Sequence, residues 1–290
     1  TYELSGATHL NFGLDQANEK YQQRANYDVK RDTTGYFSGL TTKIDRWTLQ
    51  ANMRRDALTV VQTSGGVAAN KDFAASTHLL GLGYQLTSDW RLTSSVSNGF
   101  RAPSASELFG GSGNANLVPE THQAQEIGLV YSVDKALVRL VYFRTRTQNA
   151  IDYDANNNWN FSNIGDVRNN GYELTARAEV FGNSVKSSLV IQDPWNVTDN
   201  YLPGRRAKQY GTLDVSRWMF GHEVGAKLIA SGERGNFNMP QSDMLAGYST
   251  WTFYVSRKID ANWTGRLKLE NAFNRNYELA GGYNTPGRGI

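Results

Sequence analysis

Cysteine is absent from this chain of 290 residues, so a disulfide framework and a thiolate metal site are both excluded. Proline is scarce, at 6 residues. No run of about 18 apolar residues occurs anywhere, which rules out a transmembrane helix. It leaves a membrane barrel open, because barrel strands hide their apolar residues by alternation and keep polar loops and lumen. The mean hydropathy of -0.54 carries the same ambiguity. Charge of one sign is also lacking: 30 Lys and Arg stand against 27 Asp and Glu, a net of +3. No basic stripe for nucleic acid follows.

Catalytic signatures are missing too. The four histidines, His9, His78, His122 and His222, are scattered, and no His-Glu-x-x-His occurs. Gly110-Gly111-Ser112-Gly113 is glycine-rich but lacks the Lys-Ser/Thr of a phosphate loop, and no nucleophile elbow is present. The chain is not expected to be an enzyme. No signal peptide stands at Thr1, so the chain is expected to begin inside a mature protein.

What is present is a two-residue period, repeated along the chain. Leu4, Gly6, Thr8, Leu10, Phe12 and Leu14 share one face, with Ser5, His9, Asn11 and Asp15 opposite. Ile127, Leu129, Tyr131 and Val133 oppose Glu126 and Ser132. Tyr172, Leu174, Ala176 and Ala178 oppose Glu173, Thr175, Arg177 and Glu179. Similar patterns run through Val138–Tyr142, Val224–Leu228, Trp251–Val255 and Leu267–Leu269. Short turns are expected at Asp45-Arg46, Ser88-Asp89, Asp134-Lys135, Gly182-Asn183, Met219-Phe220 and Ala261-Asn262. Long polar connections are expected between them, at 17–34, 56–73, 99–121, 193–205, 231–243 and 274–287.

A short turn on one rim and a long loop on the other is the plan of an outer-membrane barrel. The fold expected is all-β: part of an antiparallel transmembrane barrel, with about thirteen strands and the start of another at residues 288–290. Trp47, Trp90 and Trp263 follow short turns directly and Trp218 lies in one. That spacing puts all four at one membrane interface, where the ring is apolar and the N–H still needs a polar partner. A soluble propeller fits less well, since a blade of about 40–45 residues holds four strands and only two are found here. An odd strand count and an unfinished last strand make both ends look cut, and a piece with two open edges is not expected to be stable alone in lipid.

Four blocks carry a resemblance. They are Gly99-Phe100-Arg101-Ala102-Pro103 with Glu107-Leu108-Phe109, then Gly113 to Leu117 with Pro119-Glu120, then Gly171-Tyr172-Glu173, then Asn271 to Tyr277. In this order they resemble the barrel of TonB-dependent receptors across nearly the whole chain. Ile151-Asp152-Tyr153-Asp154, Arg205-Arg206-Ala207-Lys208-Gln209 and Gly282-Tyr283-Asn284-Thr285-Pro286-Gly287-Arg288 resemble the cobalamin (vitamin B12) branch of that family, the BtuB type.

That resemblance implies one domain over 1–290, the C-terminal portion of a barrel of about twenty-two strands. The plug domain and the final strand would lie outside it. It implies an active transporter of the bacterial cell outer membrane, a monomer that binds cobalamin at its external loops. Energy would come from TonB through the plug. Lipid and lipopolysaccharide would surround the barrel, no nucleic acid is involved, and calcium would bind acidic loops outside this chain, which itself needs no cofactor. The alternatives are a ferric-siderophore receptor and a passive porin.

The resemblance also implies two ligand-binding residues. Arg205 opens the Arg-Arg-Ala-Lys-Gln run, and its five donors suit corrin amides or a phosphate; the competing reading is a solvated rim cation. Phe237 lies where the family places a loop aromatic, able to stack on a flat ligand or to pack its own loop. Trp159 and Trp195 are expected in loops. Asp152 and Asp154 look like paired carboxylates beside Asn156, Asn157 and Asn158, but calcium wants six to eight oxygens. Glu126, Glu173, Glu270, Arg139, Arg177, Arg266 and Lys268 alternate with outward apolar residues, so they are expected in the lumen.

Overall fold

The computed structural model describes residues 2–23, 27–64, 67–154, 157–239 and 242–290. Its strands are β1 (Tyr2–Ser5), β2 (Thr8–Gln23), β3 (Tyr27–Ile44), β4 (Trp47–Ser64), β5 (Val67–Gln85), β6 (Trp90–Arg101), β7 (Glu120–Val133), β8 (Ala136–Gln148), β9 (Ile151–Asp154) and β10 (Asn160–Asn163). They continue with β11 (Val167–Val180), β12 (Asn183–Asn196), β13 (Gln209–Met219), β14 (His222–Ser231), β15 (Arg234–Gly235), β16 (Met244–Leu245), β17 (Tyr248–Lys258), β18 (Thr264–Leu269), β19 (Glu278–Ala280) and β20 (Tyr283–Asn284). One short helix, α1 (Ala105–Phe109), lies between β6 and β7. Fourteen strands form one antiparallel meander, β1 to β8, then β11 to β14, β17 and β18. The sheet is open, with β1 and β18 at its edges. This is part of an antiparallel membrane barrel, as the alternation and loop lengths predict.

Cross-strand register shows why the alternation matters. One row runs Leu49, Leu82, Ser94, Ile127, Tyr142, Tyr172 and Ile191 across seven strands. The next, toward the short turns, holds Trp47, Tyr84, Leu92, Leu129, Leu140, Leu174 and Leu189. Large side chains here are solvent-exposed, such as Ile127 at 50% and Tyr172 at 55%, so this face is the lipid-contacting one. The opposite face carries Glu126 and Arg139 in contact at 3.4 Å, and on the same face Glu173 and Arg177, two residues to either side of Thr175, which pairs with Arg139. Tyr254 donates to Asp214 at 2.7 Å on that face, and Glu223 accepts from Ser216 and Ser256. The charged residues expected in the lumen therefore alternate onto the face away from lipid.

Trp47 meets Tyr84 at a centroid distance of 4.4 Å and Trp90 meets Tyr131 at 4.7 Å, both pairs next to short turns on the lipid face. Trp218 departs from the expected girdle. It pairs with Glu223 and, through that strand, aligns with Ser256 on the luminal face. Trp195 also departs from expectation: it lies on β12, paired with Arg168, rather than in a loop.

Six places differ from the sequence reading. A turn at Gly6-Ala7 splits the first alternating segment, and β1 folds back on β2; the two-residue period continued through a turn-forming Ser-Gly-Ala. Residues 17–23, 27–34, 56–64 and 67–73 are strand, not loop, because residues there pair across the ladder, as Thr59 does with Asp72 at 2.6 Å. Two turns fall one residue off expectation. They are Phe181-Gly182, and Phe220-Gly221 in place of Met219-Phe220, both residues of each having positive φ. Such a turn matches strand twist and puts glycine second. The start expected at residues 288–290 is a single bridge from Gly289 to Glu270, extending the pairing against β18's end.

Candidate functional site

The long-loop rim is built, not merely polar. The segment between β6 and β7 folds inward over β4 and β5, burying Leu108 and Leu117 against Leu58, Val60, Phe73, Ala102 and Ile151. Helix α1 starts at Ser104, which accepts from the Glu107 N–H while the Glu107 carboxylate accepts from the Ser104 N–H. This reciprocal cap satisfies two otherwise unpaired donors. Arg101 holds the whole turn: it donates to both Glu120 oxygens at 2.9 Å and to Glu107 at 2.9 and 3.0 Å. Glu120 also accepts the Ile151 N–H at 2.7 Å. Burial alone would raise the Glu120 pKa, but the Arg101 bonds and the Ile151 N–H outweigh it and hold the carboxyl below its ordinary range. The Gly-Phe-Arg-Ala-Pro block is thus a loop anchor.

Ile151 begins the β9–β10 hairpin, so this anchor places the next loop. In it Tyr153 stacks on Phe161 at 4.2 Å between centroids, and Phe161 N–H donates to the Ser112 carbonyl at 2.9 Å. The Asp152 carboxylate accepts from the Asn238 side chain, 86 residues away. Asn238 in turn accepts the Gly204 N–H at 2.6 Å, and the Arg205 N–H donates to the Gly235 carbonyl at 2.6 Å. Four separate loops are therefore tied together around a cleft of about 510 Å³, lined by Ser112, Asp152, Tyr153, Trp159, Gly204, Arg205, Asn236, Phe237 and Asn238.

Both residues expected at a ligand site, Arg205 and Phe237, line this one cleft. Arg205 adopts a left-handed backbone with φ of 58°, a conformation held by its bond to Gly235. A side chain at position 204 would meet the Phe237 carbonyl carbon at 2.6 Å, so glycine is what lets the two loops touch. Phe237 is 46% exposed and Trp159 53% exposed, leaving both rings open to the cleft. Trp195 lies elsewhere, on the outward face. Asp152 is committed to Asn238, while Asn156 falls outside the described residues. Among the described residues no three His, Asp or Glu gather at metal-binding distance.

Several contributors were not singled out from sequence. Asn196, fully buried, accepts the N–H groups of Thr198 and Asp199 at 3.0 Å each and so shapes the turn before Arg205. Tyr201 is buried beside it, and burial pushes its hydroxyl pKa up. Arg234, only 4% exposed, lies 5.3 Å over the Tyr248 ring and donates to the Glu278 carbonyl. An arginine among polar loop residues gives no sequence signal that it will be buried.

The cleft offers one cation and exposed aromatic rings, a lining of the kind that recognises ligands. Residues 2–274 match the family described as TonB dependent receptor-like, beta-barrel. The chain is similar in structure to the FrpB iron transporter from Neisseria meningitidis (F3-3 variant), with a TM-score of 0.78 at 16% identity over 99% of this chain and 52% of that one. It is similar to the copper transporter OprC, with a TM-score of 0.79 at 18% identity over 98% and 53%. It is also similar to the ferric yersiniabactin uptake receptor FyuA from Yersinia pestis, with a TM-score of 0.73 at 18% identity over 99% and 49%. The chain spans about half the length of these structures, and at such identities the likeness shows the fold.

Proposed function

The chain belongs to the TonB-dependent receptor-like β-barrel family of the bacterial outer membrane, and from this premise we propose that it is the ligand-gripping barrel portion of an active transporter for cobalamin. The observation that carries the proposal is the cleft. Its lining comes from four loops far apart in sequence, and two of them hold the blocks that resemble cobalamin transporters: Asp152-Tyr153 and Arg205. A corrin is flat, apolar on its faces and edged with amides. Tyr153, Trp159 and Phe237 supply rings for the faces. The Asn238 and Asn236 oxygens already accept the Gly204 and Gly281 N–H groups, so the polar contact falls to the Arg205 fork, which suits an amide carbonyl or the nucleotide phosphate.

Transport would follow from geometry already on the luminal wall. The Glu126–Arg139 pair and the Asp214–Tyr254 bond form a hydrated polar surface for a plug to slide against. The resemblance places that plug, its TonB contact and any calcium-binding loops outside residues 1–290. Ligand would bind at the loops, and TonB would supply the energy by moving the plug.

A second reading has its own support: the similar structures named above are described as transporters or receptors for iron, copper and a ferric chelate. A ferric siderophore would use the same cation and rings. Competition separates the two. Labelled cobalamin bound to the full-length protein in outer membranes should resist displacement by excess ferric chelates. Displacement by a ferric chelate at comparable concentration would move the ligand to the siderophore class.

A further inference from the structure

Above the lipid-facing rows, β8 and β11 carry an arrangement that neither transport nor the cleft uses. The outward row of Leu140 and Tyr142 continues upward to Arg144 and Arg146. On β11 the outward row of Leu174 and Tyr172 continues to Asn170 and Arg168. Register sets Arg146 directly opposite Arg168, and Arg144 opposite Asn170. Directly opposed side chains on antiparallel strands lie about 5 Å apart at Cβ, and like charges in that position repel. Nearby carboxylates do not neutralise the group. Asp166 is paired with Arg146, and Asp193 is paired with Lys208 at 2.8 Å. Among the described residues neither the Arg144 nor the Arg168 guanidinium has an ion-pair or hydrogen-bond partner. Four cations against two carboxylates leave a surplus of two positive charges.

The height of this group is informative. From Ala136, beside the short turn, to Arg146 is ten residues along β8. At about 3.3 Å per residue and a tilt near 40°, that is roughly 25 Å along the membrane normal, the height of the apolar band. Arg146 and its register partner Arg168 therefore emerge where the hydrocarbon ends at the external leaflet, with Arg144 one row beneath them, about 5 Å lower. One row lower, Tyr142 and Tyr172 pair at 5.3 Å between centroids. Trp195 stands opposite Arg168 on the other side.

We propose that Arg144, Arg146 and Arg168, flanked by Tyr142, Tyr172 and Trp195, form a binding site for the phosphates of lipid A in the external leaflet. The guanidinium forks match phosphate oxygens in pairs, and the rings match the acyl boundary beneath. The bound anion relieves the Arg146–Arg168 repulsion. The site is continuous with the lipid-contacting face, which makes a lipid headgroup its occupant. It is independent of the cleft and of what the cleft binds.

Native mass spectrometry of the purified full-length transporter, titrated with diphosphorylated lipid A, tests it. The wild type should bind lipid A at least tenfold more tightly than Arg144→Gln/Arg168→Gln, given the strength of charge-assisted phosphate contacts. Dephosphorylated lipid A should bind both proteins equally and weakly. Lipid-free, the double variant should melt in detergent at or slightly above the wild-type temperature, because a repulsion is removed. That comparison separates a lost site from a misfolded barrel. Equal lipid A binding by wild type and double variant would overturn the site. Equal binding of phosphatidylglycerol and lipid A by the wild type would overturn the assignment to lipid A.

Discussion

At the scale of single residues, Glu120 does more than its place in a loop block suggests. It joins Arg101, which braces α1, to Ile151, which opens the hairpin bearing Tyr153. Replacing it with glutamine keeps the shape and removes the charge, at an expected cost of about 1–3 kcal/mol for a buried charge-assisted network. Because its pKa is lowered on folding, its contribution is fully present above the ordinary carboxylate range, about 4.3. It is lost as the pH falls through the lowered folded value. The gap in melting temperature between wild type and Glu120→Gln should therefore be constant near neutrality and close in acid; a gap unchanged in acid would remove Glu120 from the network. Gly204→Ala should weaken ligand binding without unfolding the barrel, since its new methyl would push the Phe237 loop outward. Titrations of the two proteins would show it, and equal affinities would mean that the loops do not need this close approach. Arg205 and Phe237 were legible in sequence through resemblance, and they meet in one cleft. Their neighbours Asn236, Asn238 and Ser112 were not legible, because loop–loop hydrogen bonds between distant segments leave no period to read.

At the scale of elements, strands and short turns were readable because lipid on one side and water on the other impose a two-residue period. Legibility failed where that pressure ends. Beyond the bilayer, β2 and β3 continue as a polar ladder that reads as loop, and β4 and β5 continue with Leu58, Val60 and Phe73 turned to the luminal side under the β6–β7 segment. The β15–β16 and β19–β20 hairpins inside the loops were missed for the same reason. The two turns misplaced by one residue carry a consequence of their own. Phe181 and Phe220 are each 93% exposed and each left-handed, with φ of 50°. A non-glycine residue there costs on the order of 1–2 kcal/mol, which asparagine tolerates better. Phe181→Asn should raise the stability of the full-length protein in detergent by about 0.5–1 kcal/mol, read as an upward shift in its urea midpoint. A downward shift would mean that the ring makes a contact that offsets its strain.

At the scale of the whole molecule, fourteen strands make one wall with unpaired edges at β1 and β18. Open edges expose rows of unsatisfied backbone groups, which hydrocarbon does not tolerate. Residues 1–290 expressed alone should aggregate rather than insert as a compact, heat-modifiable barrel; a compact band that unfolds on boiling would show that the edges find partners. The wall has three working surfaces: an apolar outer face, a charged luminal face, and a rim where loops converge. Ligand recognition is proposed for the rim. The most direct measurement is equilibrium binding of labelled cobalamin to the full-length protein in outer membranes, wild type beside Arg205→Ala. Saturable binding by the wild type is expected, and at least about tenfold weaker binding by the variant, with the barrel assembled in both. No binding to the wild type at micromolar cobalamin, or equal binding by the two proteins, would contradict it.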